Sequence, residues 1–483
     1  MTAVPASLPT PRRRHAAAAI VRGQRGFARW IVALLVVYVA IQGLFVLATV
    51  TAAAVPNDAI VASLQKDAEW RLWDTTDYPL DGVGHPTERF PFAGITDSFT
   101  ECIALTIGVP PDPSGDSGIV RDSIAGRHLG TCSTALPAIS ALAAGAEPEA
   151  VYTYNRYWNG FTILPRPLLA LEGVAAVRLA VGLIFLGGIV TAAIALTRRV
   201  SPWVATGLLV PLLASTNLAT QPLHGFSHAL SFGIMMFAVA WGVRLGRETL
   251  PAIILGASVA GAVFNFIDFL LNPPVAWALF VFAVVAARWQ SRRSDSVGLR
   301  GLWGAAGASA LGWIAGYSLT WVTRWMIAVA TLGESAWQEI LGVISTRLQG
   351  QYEDLVTPGL GQSTLRNALF WFGTIPTARF VLITAVLVVA VCVVVVLVTR
   401  RPRLLLVALA IGSPVVLVVL WLELLSNHSQ IHVFFVYRAI PAAIGIAVAA
   451  AIVVLAKARP IDVVGATEAV ALATATSRDR VDT

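Results

Sequence analysis

Long apolar runs separated by short basic clusters fill most of this chain, and one polar interval, from about residue 55 to 168, interrupts them. From Trp30 to about Ala54 the apolar stretch reaches the roughly 20 residues that a membrane-crossing helix needs. Ala52-Ala53-Ala54 imitates a signal-peptidase site, but the run exceeds the roughly 7 to 15 residues of a signal peptide's apolar region. It is therefore expected to stay as the first transmembrane helix. Further apolar segments follow at 174–197, 202–215, 226–243, 251–271, 275–289, 301–325, 379–399, 404–422 and 437–456, the second of them short.

The basic clusters set the orientation. Arg25 with Arg29, Arg198 with Arg199, Arg244 with Arg247, Arg292 with Arg293, Arg400 with Arg401, and Lys457 with Arg459 fall at every second reversal, as cytoplasmic loops require. The expected fold is an all-α polytopic membrane protein of about ten transmembrane helices, with a large first extracytoplasmic loop and both termini cytoplasmic. Residues 1–29 are expected to form a flexible basic tail, 30–456 the transmembrane domain with extracytoplasmic loops at 55–168 and 326–378, and 457–483 a disordered tail. In the second loop Trp337, Ile340, Leu341, Ile344 and Leu348 recur at helical spacing, with Glu334, Gln338, Glu339 and Arg347 on other faces. This describes an amphipathic helix lying on the membrane surface.

Composition agrees, since 57% of the 483 residues are hydrophobic and 13% charged, more apolar surface than one soluble core can bury. The net charge of +7 lies in the loop clusters, so nucleic acid is not an expected partner. Cys392 lies in an apolar run, whereas Cys102 and Cys132 share the long loop. A disulfide between them is expected if that loop faces an oxidising compartment.

The long loop also holds the densest acids, in Trp70-Arg-Leu-Trp-Asp-Thr-Thr-Asp77, Thr96-Asp-Ser-Phe-Thr-Glu101 and Tyr154-Asn-Arg-Tyr-Trp-Asn-Gly160. Carboxylates, an arginine and aromatic rings together are the residue types of a sugar-handling site. Ionisable groups in or beside apolar spans are costly and point to function. Asn265 and Asp268, Arg324, Glu423, His428, His432 and Arg438 all map to the outer ends of spans, as do Arg166, Glu172 and His228. His224 with His228, and His428 with His432, stand at i,i+4, a spacing that can hold a metal. Neither pair has a carboxylate motif beside it, so no metal is expected, and no cofactor.

These elements, taken in order, resemble the type-C (GT-C) membrane glycosyltransferases, and more closely a largely uncharacterised bacterial family associated with that fold. The resemblance covers about residues 30 to 456. It is carried by Thr96-Asp97, Tyr157-Trp-Asn-Gly160 with Arg166-Pro167, Asp268-Phe-Leu270, and Asn427-His-Ser-Gln-Ile-His432 with Tyr437-Arg438. The adjacent Asp-Asp pair of better-known members is absent, because Asp74 and Asp77 are separated and Asp97 stands apart.

The resemblance implies a GT-C-like fold in the bacterial plasma membrane. It implies transfer of a sugar from a polyprenyl-phosphate donor to an envelope glycan or lipid acceptor on the outer face, usually with inversion. Asp97 is the expected base, with Glu101 at i+4 as its companion or substitute. Asp74, Asp77, Arg156, Tyr157, Trp158, Arg166, Asn265, Asp268, His428, His432, Tyr437 and Arg438 are the expected substrate-binding residues. Arg438 is the expected grip on the lipid phosphate, because a guanidinium holds phosphate through two hydrogen bonds at once. A transporter or flippase of lipid-linked glycans is the alternative reading. Repeated halves and broken midplane helices, which favour transport, are not evident in the sequence.

Overall fold

A computed structural model describes residues 11–69, 72–73, 75–110, 118–291, 298–348 and 359–458, without the side chains of residues 11–29 and of His224. Among the described residues the chain is helical apart from turns and one antiparallel bridge between His128 and Tyr152. Helix α1 (Pro11–Ala53) begins well ahead of the apolar stretch, so the part of the expected flexible tail from Pro11 onward is helical.

The long polar interval folds into short helices, α2 (Asn57–Glu69), α3 (Ser98–Thr106), α4 (Ile119–Ala125), α5 (Cys132–Ala143) and α6 (Pro165–Glu172). A disulfide joins Cys102 to Cys132, and so α3 to α5. Then come α7 (Val174–Arg199), α8 (Pro202–Ala214), α9 (Gln221–His224), α10 (Phe226–Leu245), α11 (Leu250–Ile267), α12 (Pro273–Gln290) and α13 (Leu299–Leu332). The second polar interval gives α14 (Glu334–Leu348) and α15 (Gln362–Thr374). The chain closes with α16 (Ala378–Val398), α17 (Arg403–Gly412), α18 (Val415–Leu424), α19 (Ser426–Ile431), α20 (Val433–Val436) and α21 (Ala439–Ala458).

Among the described residues seven helical stretches are long and apolar enough to cross a membrane: Trp30–Ala53 within α1, α7, α10, α11, α12, α16, and Val433–Ala458 across α20 and α21. The pair α17 and α18, bent by 41°, makes up to eight if it counts as one span. The protein is thus a membrane-embedded helical protein. Three of the ten expected spans differ from that reading, each for a physical reason. Helix α8 has only 13 residues, about 20 Å at 1.5 Å per residue, short of the roughly 30 Å hydrocarbon core. Helix α13 has ample length but is diluted by Gly, Ser, Thr and Trp. The expected 404–422 span breaks where Pro414 follows Gly412 and Ser413, since proline removes a helical hydrogen bond and restricts the residue before it.

The centre of the bundle is α10 and α12, most of whose residues are buried, while α1 and α16 turn Leu35, Val36, Val39, Phe380, Ile383 and Leu387 outward. Small residues set the closest helix crossings. A Cβ at Gly316 of α13 would overlap the Ser258 carbonyl of α11, and one at Gly261 would overlap the Trp313 carbonyl. That approach fixes α13, whose C-terminal turns carry Trp321 and Trp325 to the loop helices.

Candidate active site

A cavity of about 470 Å³ opens where α3, the His128–Tyr152 bridge, α14 and the α19–α20 turn meet, and Asp97, Arg156, Arg347, His428 and His432 line it together with Tyr78, Tyr152 and Tyr154. Asp97 is the N-cap of α3. Its Oδ1 accepts the Thr100 amide at 3.1 Å and its Oδ2 the Thr100 hydroxyl at 2.7 Å. Oδ2 also lies 2.8 Å from Nε2 of His228, at the first turn of α10. Burial acts to raise the Asp97 pKa, but the bonds from His228 and Thr100 outweigh it and hold the carboxyl below its ordinary value.

Behind His228 lies a second layer. Arg438 Nη1 is 2.8 Å from His228 Nδ1, and Arg438 Nε donates to Asn217 Oδ1 at 2.9 Å. The Asn217 amide donates to the Tyr437 hydroxyl at 3.1 Å. Arg438 and Tyr437 therefore stand behind the cavity wall rather than on it, and the expected phosphate grip by Arg438 is replaced by a bond to His228.

Among the described residues, the arginines that reach the cavity are Arg156 and Arg347. Arg156 lies over the Tyr154 ring at 4.2 Å and pairs with Glu339 of α14 at 3.3 Å. Arg347 hydrogen-bonds His428 Nδ1, and His428 Nε2 lies 3.0 Å from the Leu270 carbonyl, to which it donates. Burial, then the Arg347 charge, pushes the pKa of both His428 and His432 down, leaving neutral rings at neutral pH. Arg156 and Arg347 also border an apolar groove of about 190 Å³, lined by Tyr157, Trp321, Trp325, Ile340, Ile344 and Leu348 among others. A polar cavity and an apolar groove thus share two guanidinium groups.

The other expected residues lie elsewhere. Glu101 faces Arg178 of α7, whose Nε and Nη2 donate to Oε1 at 3.1 and 2.8 Å, and does not line the cavity. Asp77 accepts the Ser133 amide at 3.3 Å. Asp74, with Trp70, lies outside the described residues. Tyr157 is buried and stacks on Trp321 with centroids 6.0 Å apart, at the groove. Trp158 is 1% exposed and donates to the Thr320 carbonyl, so it is core rather than a sugar platform.

Arg166 is spent on structure, donating to the carbonyls of Ala52, Ile107 and Val55 and to Asn57 Oδ1. Asp268 accepts the Ser231 hydroxyl at 2.8 Å and the Leu271 amide at 3.0 Å, closing the end of α11, and Asn265 hydrogen-bonds Tyr317. Glu423 caps α15 through the Gly361 and Thr364 amides, and Arg324 donates to the Ile124 carbonyl. Among the described residues no group of three or more His, Cys, Asp or Glu is placed to hold a metal.

Comparison with models of protein families, with curated proteins and with solved structures gives no match.

Proposed function

We propose that this chain is a cell-envelope glycosyltransferase of the GT-C type, held in the bacterial plasma membrane by about ten crossings with both termini cytoplasmic. On this reading it moves a sugar from a polyprenyl-phosphate donor to an envelope glycan or lipid acceptor on the outer face. The observation that carries the reading is the shared border of cavity and groove at Arg156 and Arg347. A lipid-linked sugar phosphate has the same three parts in the same order: a polar sugar, an anion and an apolar chain.

In the proposed reaction the acceptor hydroxyl attacks the anomeric carbon, the bond from that carbon to the phosphate oxygen breaks, and the hydroxyl proton passes to Asp97. The leaving polyprenyl phosphate carries its charge to Arg156 and Arg347, which are in place before the bond breaks. His432 is neutral and offers ring nitrogens to the sugar, whereas His428, whose two ring nitrogens are engaged by Arg347 and the Leu270 carbonyl, serves as wall and as the anchor of Arg347.

Binding of polyprenyl phosphate and of the uncharged polyprenol to the full chain in nanodiscs, followed by native mass spectrometry, tests this. The phosphate is expected to bind at least about tenfold more tightly than the alcohol, with the preference lost in Arg347→Ala, since a charge-assisted contact contributes roughly 1.5 to 3 kcal/mol. Equal binding of both lipids, or an unchanged preference in Arg347→Ala, would overturn the reading.

A further inference from the structure

His228 is fully buried, lies behind the cavity lining rather than in it, and sits between two groups of opposite charge. A guanidinium only donates hydrogen bonds. Arg438 Nη1, 2.8 Å away, therefore requires an unprotonated Nδ1, which places the ring's single proton on Nε2. That nitrogen lies 2.8 Å from Asp97 Oδ2, and an ionised carboxylate only accepts. Every link runs one way, from Arg438 through His228 to Asp97. Asn217 fixes the arginine by accepting from its Nε, and Phe435 packs edge-on against the imidazole at 5.2 Å.

The consequence lies in the lone pairs. Each carboxylate oxygen offers about two acceptor sites. Oδ2 fills both, with the Thr100 hydroxyl and His228, whereas among the described residues Oδ1 accepts only the Thr100 amide. We infer that Oδ1 of Asp97 is the atom that receives the acceptor's proton, and that His228, locked by Arg438 as the neutral Nε2–H tautomer, is the positioning residue that keeps it so. This rests on the glycosyltransferase reading for the identity of the proton donor, and on geometry alone for the tautomer.

Four charged or titratable groups interact electrostatically with Asp97: His228, Arg438, His432 and Tyr154. On the other cavity walls stand Arg156, Arg347, His428 and His128. Of the four, His228 alone is hydrogen-bonded to the carboxylate. Its removal strands a buried carboxylate with less support, so protonation becomes easier and the base is lost at a higher pH.

Two measurements on the full chain decide the matter. Ring-nitrogen NMR of histidine-labelled protein in nanodiscs, with His228 assigned by its absence in His228→Gln, is expected to show the neutral Nε2–H form from about pH 5 to 8. An Nδ1–H or doubly protonated ring would overturn the inference. Transfer from a polyprenyl-phosphate sugar is expected to lose rate on the acid side about one pH unit or more higher in His228→Leu than in the parent. His228→Gln, whose amide can still donate to Oδ2, should restore much of that shift. A uniform loss at every pH, with the acid limb unmoved, would reduce His228 to a packing role. If the parent transfers nothing, the glycosyltransferase reading fails while the ring-nitrogen spectrum still decides the tautomer.

Discussion

Glu339 of α14 pairs with Arg156, 183 positions earlier in the chain, and also accepts from Thr153 Oγ1 at 2.9 Å and Asn155 Nδ2 at 2.8 Å. One carboxylate thereby fastens the end of the first long loop to the second, and the fastened residue is one of the two cations shared by cavity and groove. Glu339→Ala leaves three donors without their acceptor. Because the pair is partly exposed, the loss is expected to be modest, about 1 to 2 kcal/mol. Polyprenyl-phosphate affinity should fall by about tenfold, and limited proteolysis should cut near 153–156 more readily. Unchanged affinity and protection would mean that α14 is held by its apolar face alone.

Asp97 and Glu101 separate cleanly in their expected roles. Asp97→Asn keeps size and most hydrogen bonds while removing basicity, and transfer should drop by roughly 10² to 10⁴ with lipid binding retained. Glu101→Gln should leave the chemistry near normal and instead lower the melting temperature, because it weakens the anchor for the Arg178 guanidinium. Measuring transfer and melting for both variants checks this. The reverse pattern would make Glu101 the base.

That separation shows where the sequence was informative and where it was not. Seven of the spans were legible because each is a continuous apolar run, and α14 was legible from its period. Asp97 was singled out through the resemblance, as part of a Thr-Asp element in the first loop, and the structure places it at the cavity. Glu101 was paired with it on the argument that residues four apart share a helix face. Asp97, however, is the N-cap, with φ −84° and ψ 70°, so it lies outside the helix where that rule applies. His228 was noted as a polar residue at the end of a span and as half of an i,i+4 histidine pair, and Arg347 only as one face of a surface helix. Their contacts with Asp97 and His428 cross 131 and 81 positions, and such pairings depend on helix packing that no local pattern encodes. Trp158 misled for the complementary reason, since an aromatic in a polar loop looks like a platform until α1 and α13 are seen to enclose it.

The disulfide between Cys102 and Cys132 ties α3, which carries Asp97 at its head, to α5, whose Thr134 lines the cavity. For a loop closed over a sequence separation of 30, the chain-entropy model gives a stabilisation of roughly 3 to 4 kcal/mol. Reduction, or the double replacement of both cysteines by serine, is expected to lower the melting temperature of the loop domain and to slow transfer without altering lipid binding. Non-reducing alkylation followed by mass spectrometry should find both thiols blocked in the parent. Free alkylation of both would remove the bond from the mature protein.

His128 supplies a pH dependence of opposite origin to that of Asp97. It lines the cavity, accepts the Gly130 amide at Nδ1 at 3.0 Å, and stacks on Tyr152. Burial, then the nearby Arg156 charge, pushes its pKa down to about 4, against an ordinary 6.5. Between those two values the unfolded chain binds a proton that the folded loop does not, so stability falls as pH drops from about 6.5 towards 4 and levels off below the folded value. The shift corresponds to at most about 3 kcal/mol. His128→Gln keeps an acceptor for the Gly130 amide but cannot titrate, so its melting temperature should be nearly flat across the same interval while the parent's declines. If parent and variant decline in parallel, another group titrates there, and His128 is not the source of the acid sensitivity.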